Sequence, residues 1–280
     1  MTIIAKLFAA VGVVCCADLS AAAELPARIV EAKKIIVGIE GKFPPMEYFD
    51  PQTNELVGFD VDLMNEIGNE LGVKVVFQDA PFQQLIPSLR TGRVDAVIAG
   101  MRDTISRREL VDFVDYLQTG AQFYSLKKWA DKFPEEASLC GRRVSANVAS
   151  TWTRWINQWS QEHCASSGLP PVEVVGAENQ IAARLALKTE RVDAAIEGTE
   201  TIDYVNELEQ RIFVKVGKPF APSPVGIATQ KTADGEQIRD AIVAALTRVQ
   251  SSGAYDRIIA KYKYEANSYK PVTVNAGTQP

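Results

Sequence analysis

The chain has 280 residues, with 30 basic against 35 acidic side chains and a single histidine, giving a formal charge of -5 near neutrality. That balance gives no sign of a nucleic-acid or anionic-membrane partner, and one histidine excludes a His-rich metal site. An apolar share of 46% is ample for the buried cores of one large domain or two ordinary ones.

The chain opens with Lys6, an apolar run from Leu7 to Cys16, and small residues Ala21 to Ala23 before Glu24. This is the charge, apolar core and small-residue order of a cleavable secretory signal. The run is about half of the roughly 20 residues that a membrane-spanning helix needs. Cys15 and Cys16 follow Val14 and Cys15, not the small residue that lipid attachment favours. Residues 1–23 are therefore expected to be removed, leaving a periplasmic chain whose only cysteines are Cys140 and Cys164. In an oxidising compartment these two are expected to pair, closing a loop of about 25 residues and stabilising the fold by roughly 3 kcal/mol. Two buried free thiols are the alternative; no metal-type spacing surrounds them, and no metal or cofactor is expected.

In chain order, Lys34 to Ile39 reads as a strand, Asp60 to Leu71 as a helix and Lys74 to Gln78 as a strand. Phe82 to Thr91 follows as a helix and Ala96 to Ala99 as a buried strand. A second unit repeats the plan: strand Arg143 to Asn147, helix Thr151 to Glu162, strand Val172 to Val175, helix Asn179 to Leu187, strand Ala194 to Glu197. LIPSLRTGRVDAVIAG and AARLALKTERVDAAIEG hold equivalent places in the two units, each an amphipathic helix, a basic turn and a strand. A strand at Gly226 to Thr229 and a helix at Gln237 to Ser251 remain to complete the first unit. The polar segment from Ala266 to Pro280 reads as a disordered tail. Alternating strands and helices predict a mostly parallel α/β fold in two lobes.

The segment GFDVDLMNEIGNEL, Gly58 to Leu71, resembles the signature of bacterial extracellular solute-binding proteins, family 3, which serve polar amino-acid ABC transporters. FPPMEYFD, PFQQLIPSLRTGRVDAVIAGM, VDFVDYL, GIATQK and SGAYDRIIAKY extend the likeness in order from Ile35 to Tyr262. The resemblance implies the type II periplasmic binding-protein fold, in which each lobe is a mixed, mostly parallel sheet flanked by helices. Residues 24–120 and 225–265 would form lobe one, 121–224 lobe two and 266–280 the tail. Crossings are expected near Thr119 to Gln122 and Ser223 to Val225, with a monomer binding an amino-acid-like ligand and docking on a membrane permease.

An amino acid presents a carboxylate, an ammonium group and a side chain, so a dry cleft must offer a cation, an anion and apolar walls. The resemblance assigns Arg107 to the carboxylate, helped by backbone donors around Gly100, Met101 and Arg102, and Phe43 and Phe82 to the walls. From lobe two, Asn147 ends a strand, and Ser150 and Thr151 open a helix whose free amides favour an anion. An ordinary helix cap explains the same two hydroxyls. Trp152 and Trp155, three apart, read as core.

Two positions depart from the family. The place that usually carries the ammonium-binding aspartate is Gly198, with Glu197 and Glu200 as substitutes and Glu40 as a further acidic cleft position. Arg102 stands where many relatives have a small hydroxyl residue; turned inward beside Arg107, it would suit a ligand with a second acidic group. A periplasmic dehydratase of the cyclohexadienyl type is the enzyme alternative, with Glu40, Glu197 and Glu200 as candidate acids, and a ligand-sensing module is the third class. His163, beside Cys164, reads as a surface residue.

Overall fold

The computed structural model describes residues 24–279. The signal-peptide reading of residues 1–23 lies outside the described residues. Helix α1 (Ala27–Ala32) precedes strand β1 (Lys34–Ile39), a small three-stranded sheet β2 (Lys42–Phe43), β3 (Glu47–Phe49) and β4 (Leu56–Val57), and helix α2 (Phe59–Leu71). Then come β5 (Lys74–Asp79), α3 (Phe82–Arg90), β6 (Ala96–Val97), the one-turn α4 (Ile105–Arg108) and the long strand β7 (Val111–Leu126). The second unit supplies β8 (Arg143–Asn147), α5 (Trp152–His163), β9 (Glu173–Ala177), α6 (Gln180–Lys188), β10 (Ala194–Gly198) and α7 (Thr199–Leu208). The chain returns through β11 (Phe213–Gln230), α8 (Ala233–Ser251), α9 (Ala254–Tyr262) and β12 (Ser268–Val274).

The strands run β5-β1-β6-β11-β7-β10-β8-β9. β1, β5 and β6 are mutually parallel, as are β8, β9 and β10. Strands buried on both faces need continuous apolar runs, and KIIVGI and AAI supply them. The two parallel units are joined by β7 and β11, one long antiparallel pair with Thr119 opposite Ser223 and Leu117 opposite Val225. The ladder slips between Val216 and Phe220, between Phe220 and Ser223, and between Val225 and Gly226, and such irregularities bend and twist strands where they pass between lobes. Each lobe has its own core: Ile35, Phe59, Leu63, Ile242 and Tyr255 on one side, Phe123, Trp155, Trp159 and Ile196 on the other.

Alpha2 shows how sequence sets an element. Phe59, Leu63, Met64 and Ile67 repeat at helical spacing and face the core, Asp60 and Asp62 sit in the first turn, and Gly72 ends the helix in a left-handed turn. Cys140 and Cys164 form the expected disulfide, with Cα atoms 5.5 Å apart. It ties the start of β8 to the end of α5.

The disordered-tail expectation fails. Ser268–Val274 pairs antiparallel with β7, placing Thr273 opposite Asp115 and Val274 opposite Val114. In lobe two, β10 covers the edge of β7 along residues 121–124; in lobe one the same edge would stand open without β12. An open edge carries unpaired N–H and C=O groups, and closing it outweighs the weak strand signal of SYKPVTV.

Candidate functional site

A cleft between the lobes is lined by Glu40, Phe43, Phe82, Gly100, Arg102 and Arg107 from lobe one and by Asn147, Ser150 and Thr151 from lobe two. Nine predicted site residues therefore meet at one place. Met101, Glu197 and Glu200 are not on its wall. Glu47, Ala99, Trp152 and Gln180 complete it and were not anticipated.

The 100–107 segment owes its shape to backbone bonds. Gly100 has φ +52°, and a Cβ there would lie 2.7 Å from the Phe43 ring, so glycine serves both the left-handed backbone and the packing of that wall. The Gly100 N–H donates to buried Asp60 Oδ2 at 2.8 Å, and Tyr116 Oη donates to Asp60 Oδ1 at 2.7 Å. Gly226 N–H donates to Met101 O and Asp103 N–H to Pro224 O, each at 3.0 Å, so the segment is stitched to β11 where that strand changes lobes. Met101 itself is core, beside Leu85 and Phe113.

Thr104 then caps α4, its Oγ1 accepting from the Arg107 N–H at 3.3 Å. Arg107 Nη1 donates to Arg102 O at 3.0 Å, and its guanidinium lies 5.4 Å from the Phe82 ring centroid. Burial, with Arg102 and Arg154 nearby, draws the Arg107 pKa down to about 10, and the group remains cationic at neutral pH.

Arg102 is turned inward and only 4% exposed. Its guanidinium lies 3.7 Å from the Trp152 ring centroid and 5.2 Å from that of Trp155. The reading of both tryptophans as core misses this: Trp152 is buried, yet one ring face forms the platform for Arg102. The signal available in the sequence was the departure at Arg102 itself, a buried-position arginine that needs an aromatic or anionic partner.

On the opposite wall, Asn147 O accepts from Ser150 Oγ at 2.6 Å, and Trp152 N–H donates to Ser150 Oγ at 3.2 Å. Thr151 precedes α5 without capping it, and its buried Oγ1 has no partner among the described residues. The cap explanation therefore holds for Ser150 and fails for Thr151. Tyr48 Oη meets Tyr204 Oη at 2.8 Å and Arg154 Nη1 donates to Ser106 Oγ at 3.4 Å, contacts that join the lobes across the cleft. With the lobes in contact, about 30 Å³ is enclosed between these walls.

The acids divide by environment. Glu40 lines the cleft, accepts from the Phe82 N–H at 3.3 Å, and is raised above the usual carboxylate range by burial. Glu47 is raised well above it by burial and by neighbouring Asp60. Glu197 is fully buried in lobe two, Oε1 at 3.2 Å from Arg184 Nη2, which removes it from the ligand. The Glu200 carboxylate accepts from Thr119 Oγ1 and is raised by burial, with Arg102 and Thr119 opposing the rise. A Cβ at Gly198 would lie 1.9 Å from Glu200 Oε1. Glu200 thus fills the space that a side chain at position 198 would take, behind Arg102 and off the cleft wall.

Residues 35–265 match the bacterial extracellular solute-binding proteins, family 3. The L-arginine-binding protein of Pseudomonas aeruginosa is 31% identical over 245 residues, 82% of this chain and 88% of that protein. An ancestral arginine-binding protein bound to arginine superposes with a TM-score of 0.73 at 32% identity, covering 82% of this chain and 98% of the other. An ancestral amino acid-binding protein described as a precursor of cyclohexadienyl dehydratase gives 0.71 at 28% identity, covering 84% and 97%. With this match and a two-lobed α/β fold built around an interlobe cleft, the chain belongs to the bacterial extracellular solute-binding proteins, family 3.

Proposed function

We propose that the protein captures an amino acid or amino-acid-like carboxylate in the periplasm and delivers it to the membrane permease of an ABC transporter. Residues 24–120 and 225–265 act as the lobe that holds the ligand, and 121–224 as the lobe that closes over it, in a monomer. The observation that carries the reading is Arg107, a cation on the one-turn α4 directly after a segment bonded to the crossing strand, facing a helix start in the opposite lobe.

The Arg107 fork receives the carboxylate, and the unpartnered Thr151 hydroxyl with the amides before α5 completes its shell on closure. Phe43 and Phe82 wall the aliphatic part, and Glu40 accepts the ligand nitrogen. Closed-state contacts such as Tyr48–Tyr204 form only when the lobes meet, so a ligand bridging both lobes shifts the population toward the form the permease reads. Micromolar affinity, about -8 kcal/mol, is within reach of one desolvated ion pair, a few hydrogen bonds and apolar contacts.

Thermal-shift screening of the mature chain against amino acids and related carboxylates tests this. A saturable rise in melting temperature, with the compound recovered unchanged, supports a binding protein. The dehydratase reading is favoured by one observation, the raised pKa of Glu40 on the cleft wall. Consumption of prephenate or arogenate, abolished by Glu40→Gln, would establish it instead.

A further inference from the structure

We infer that the cleft selects a diacid: a small ligand carrying two carboxylates and one cationic nitrogen. The inference rests on the binding reading above and narrows it to a ligand class.

Two guanidinium groups face one small cleft, Arg102 and Arg107. Arg107 takes the carboxylate common to all amino acids. Arg102 is 4% exposed and, among the described residues, has no anion within hydrogen-bond distance: its Nε and Nη2 are buried without a hydrogen-bond partner. Glu200, committed to Thr119, acts on it only through space. A buried cation without acceptors is costly, and a bound anion removes that cost. Stacking on Trp152 occupies the face of the guanidinium, which leaves the N–H edge, the edge that matches a carboxylate bidentately.

The charges on the wall lead to the same class. The lining acids are Glu40 and Glu47, and burial beside Asp60 pushes the Glu47 carboxyl well above the usual carboxylate range. Glu40 is the lining carboxylate offered to a ligand nitrogen, opposite two guanidinium groups. A zwitterion with one carboxylate leaves the Arg102 N–H edge without an acceptor, whereas a second carboxylate supplies one and the ligand nitrogen pairs with Glu40. A cationic side chain in the same place meets Arg102 as a like charge, so arginine and histidine are disfavoured.

Isothermal titration of the mature chain decides the matter, with L-glutamate, L-2-aminoadipate and N-(1-carboxyethyl)-L-alanine against L-glutamine, L-arginine and L-histidine. At least one diacid should bind tenfold or more tightly than every monoacid. Arg102→Ser should reduce that ratio toward one, and Arg102→Lys, which keeps the charge but not the fork, should retain part of it. Urea unfolding of both variants establishes that they fold; if the serine variant does not, the lysine variant and the parental ratio still decide. Monoacids binding as tightly as diacids, or a ratio unchanged in Arg102→Ser, overturns the inference while leaving the binding reading intact. If none of the six compounds binds, the inference fails, and the binding reading then stands or falls on the broader thermal screen.

Discussion

Placing alanine at position 198 probes the exchange of a side chain at Gly198 for the carboxylate of Glu200. The added Cβ would lie 1.9 Å from Glu200 Oε1, 2.2 Å from Oε2 and 2.3 Å from Cδ. Gly198 has φ -72° and ψ 149°, which alanine adopts freely, so the cost comes from the collision and not from the backbone. The colliding atoms end a flexible side chain, and Glu200 must rotate away, giving up Thr119 Oγ1 and its place behind Arg102. A hydrogen bond to a charged group contributes about 1.5–3 kcal/mol, and alanine is a poorer helix N-cap than glycine, so Gly198→Ala should cost about 2–3 kcal/mol. Urea unfolding of the parent, Gly198→Ala, Glu200→Ala and the double variant forms a cycle. With Glu200 already truncated, the methyl group meets no carboxylate, and its cost should fall by about 2 kcal/mol. A cost within about 0.5 kcal/mol of zero in the parent, or the same cost in both backgrounds, would refute the reasoning.

Three further outcomes follow from the geometry. Arg107→Lys replaces a fork by a point charge and should weaken carboxylate binding by about 1.5–3 kcal/mol, roughly ten- to a hundredfold in Kd by titration calorimetry. Burial raises Asp60, Asp115 and Glu197 each to about 7, so the native state holds protons that the unfolded chain releases near pH 4. Their contribution is fully present below about pH 4 and is lost as pH rises through about 7; urea midpoints should fall from pH 5 to pH 8, and Asp115→Asn should flatten part of that slope. A midpoint that climbs over this window would contradict the assignment. Ending the chain after Asn267 removes Thr273 Oγ1 and Ala276 N–H from Asp115 and Gly277 N–H from Asp103, both buried carboxylates. At about 1–3 kcal/mol for each carboxylate left short of donors, the truncation should cost about 2–6 kcal/mol, partly offset by the freed tail's entropy, as read from urea unfolding. Because Ile105 N–H also bonds Gln279 O, ligand Kd should rise in the same truncated chain.

The sequence by itself determined the two α/β units, because apolar runs and helical periodicity are local properties. Strand Lys34–Ile39 and helix Phe59–Leu71 fall within a residue of their expected bounds. The ordered likeness to a known family carried the lobe plan and placed Phe43, Phe82, Arg107 and Thr151, all of which meet at the cleft. Beta7 and β11 were legible only in fragments, since sixteen and eighteen residues crossing two environments keep no single alternation. The tertiary structure alone decided the rest. The order of SYKPVTV depends on an open edge of β7 far away in sequence, the stacking of Arg102 on Trp152 joins residues fifty positions apart, and Glu197 and Glu200 are both held off the cleft wall, one by Arg184 and the other by Thr119. Local sequence sets what a segment can form; which partner satisfies a buried charge or an unpaired edge is fixed only when distant segments are brought into contact.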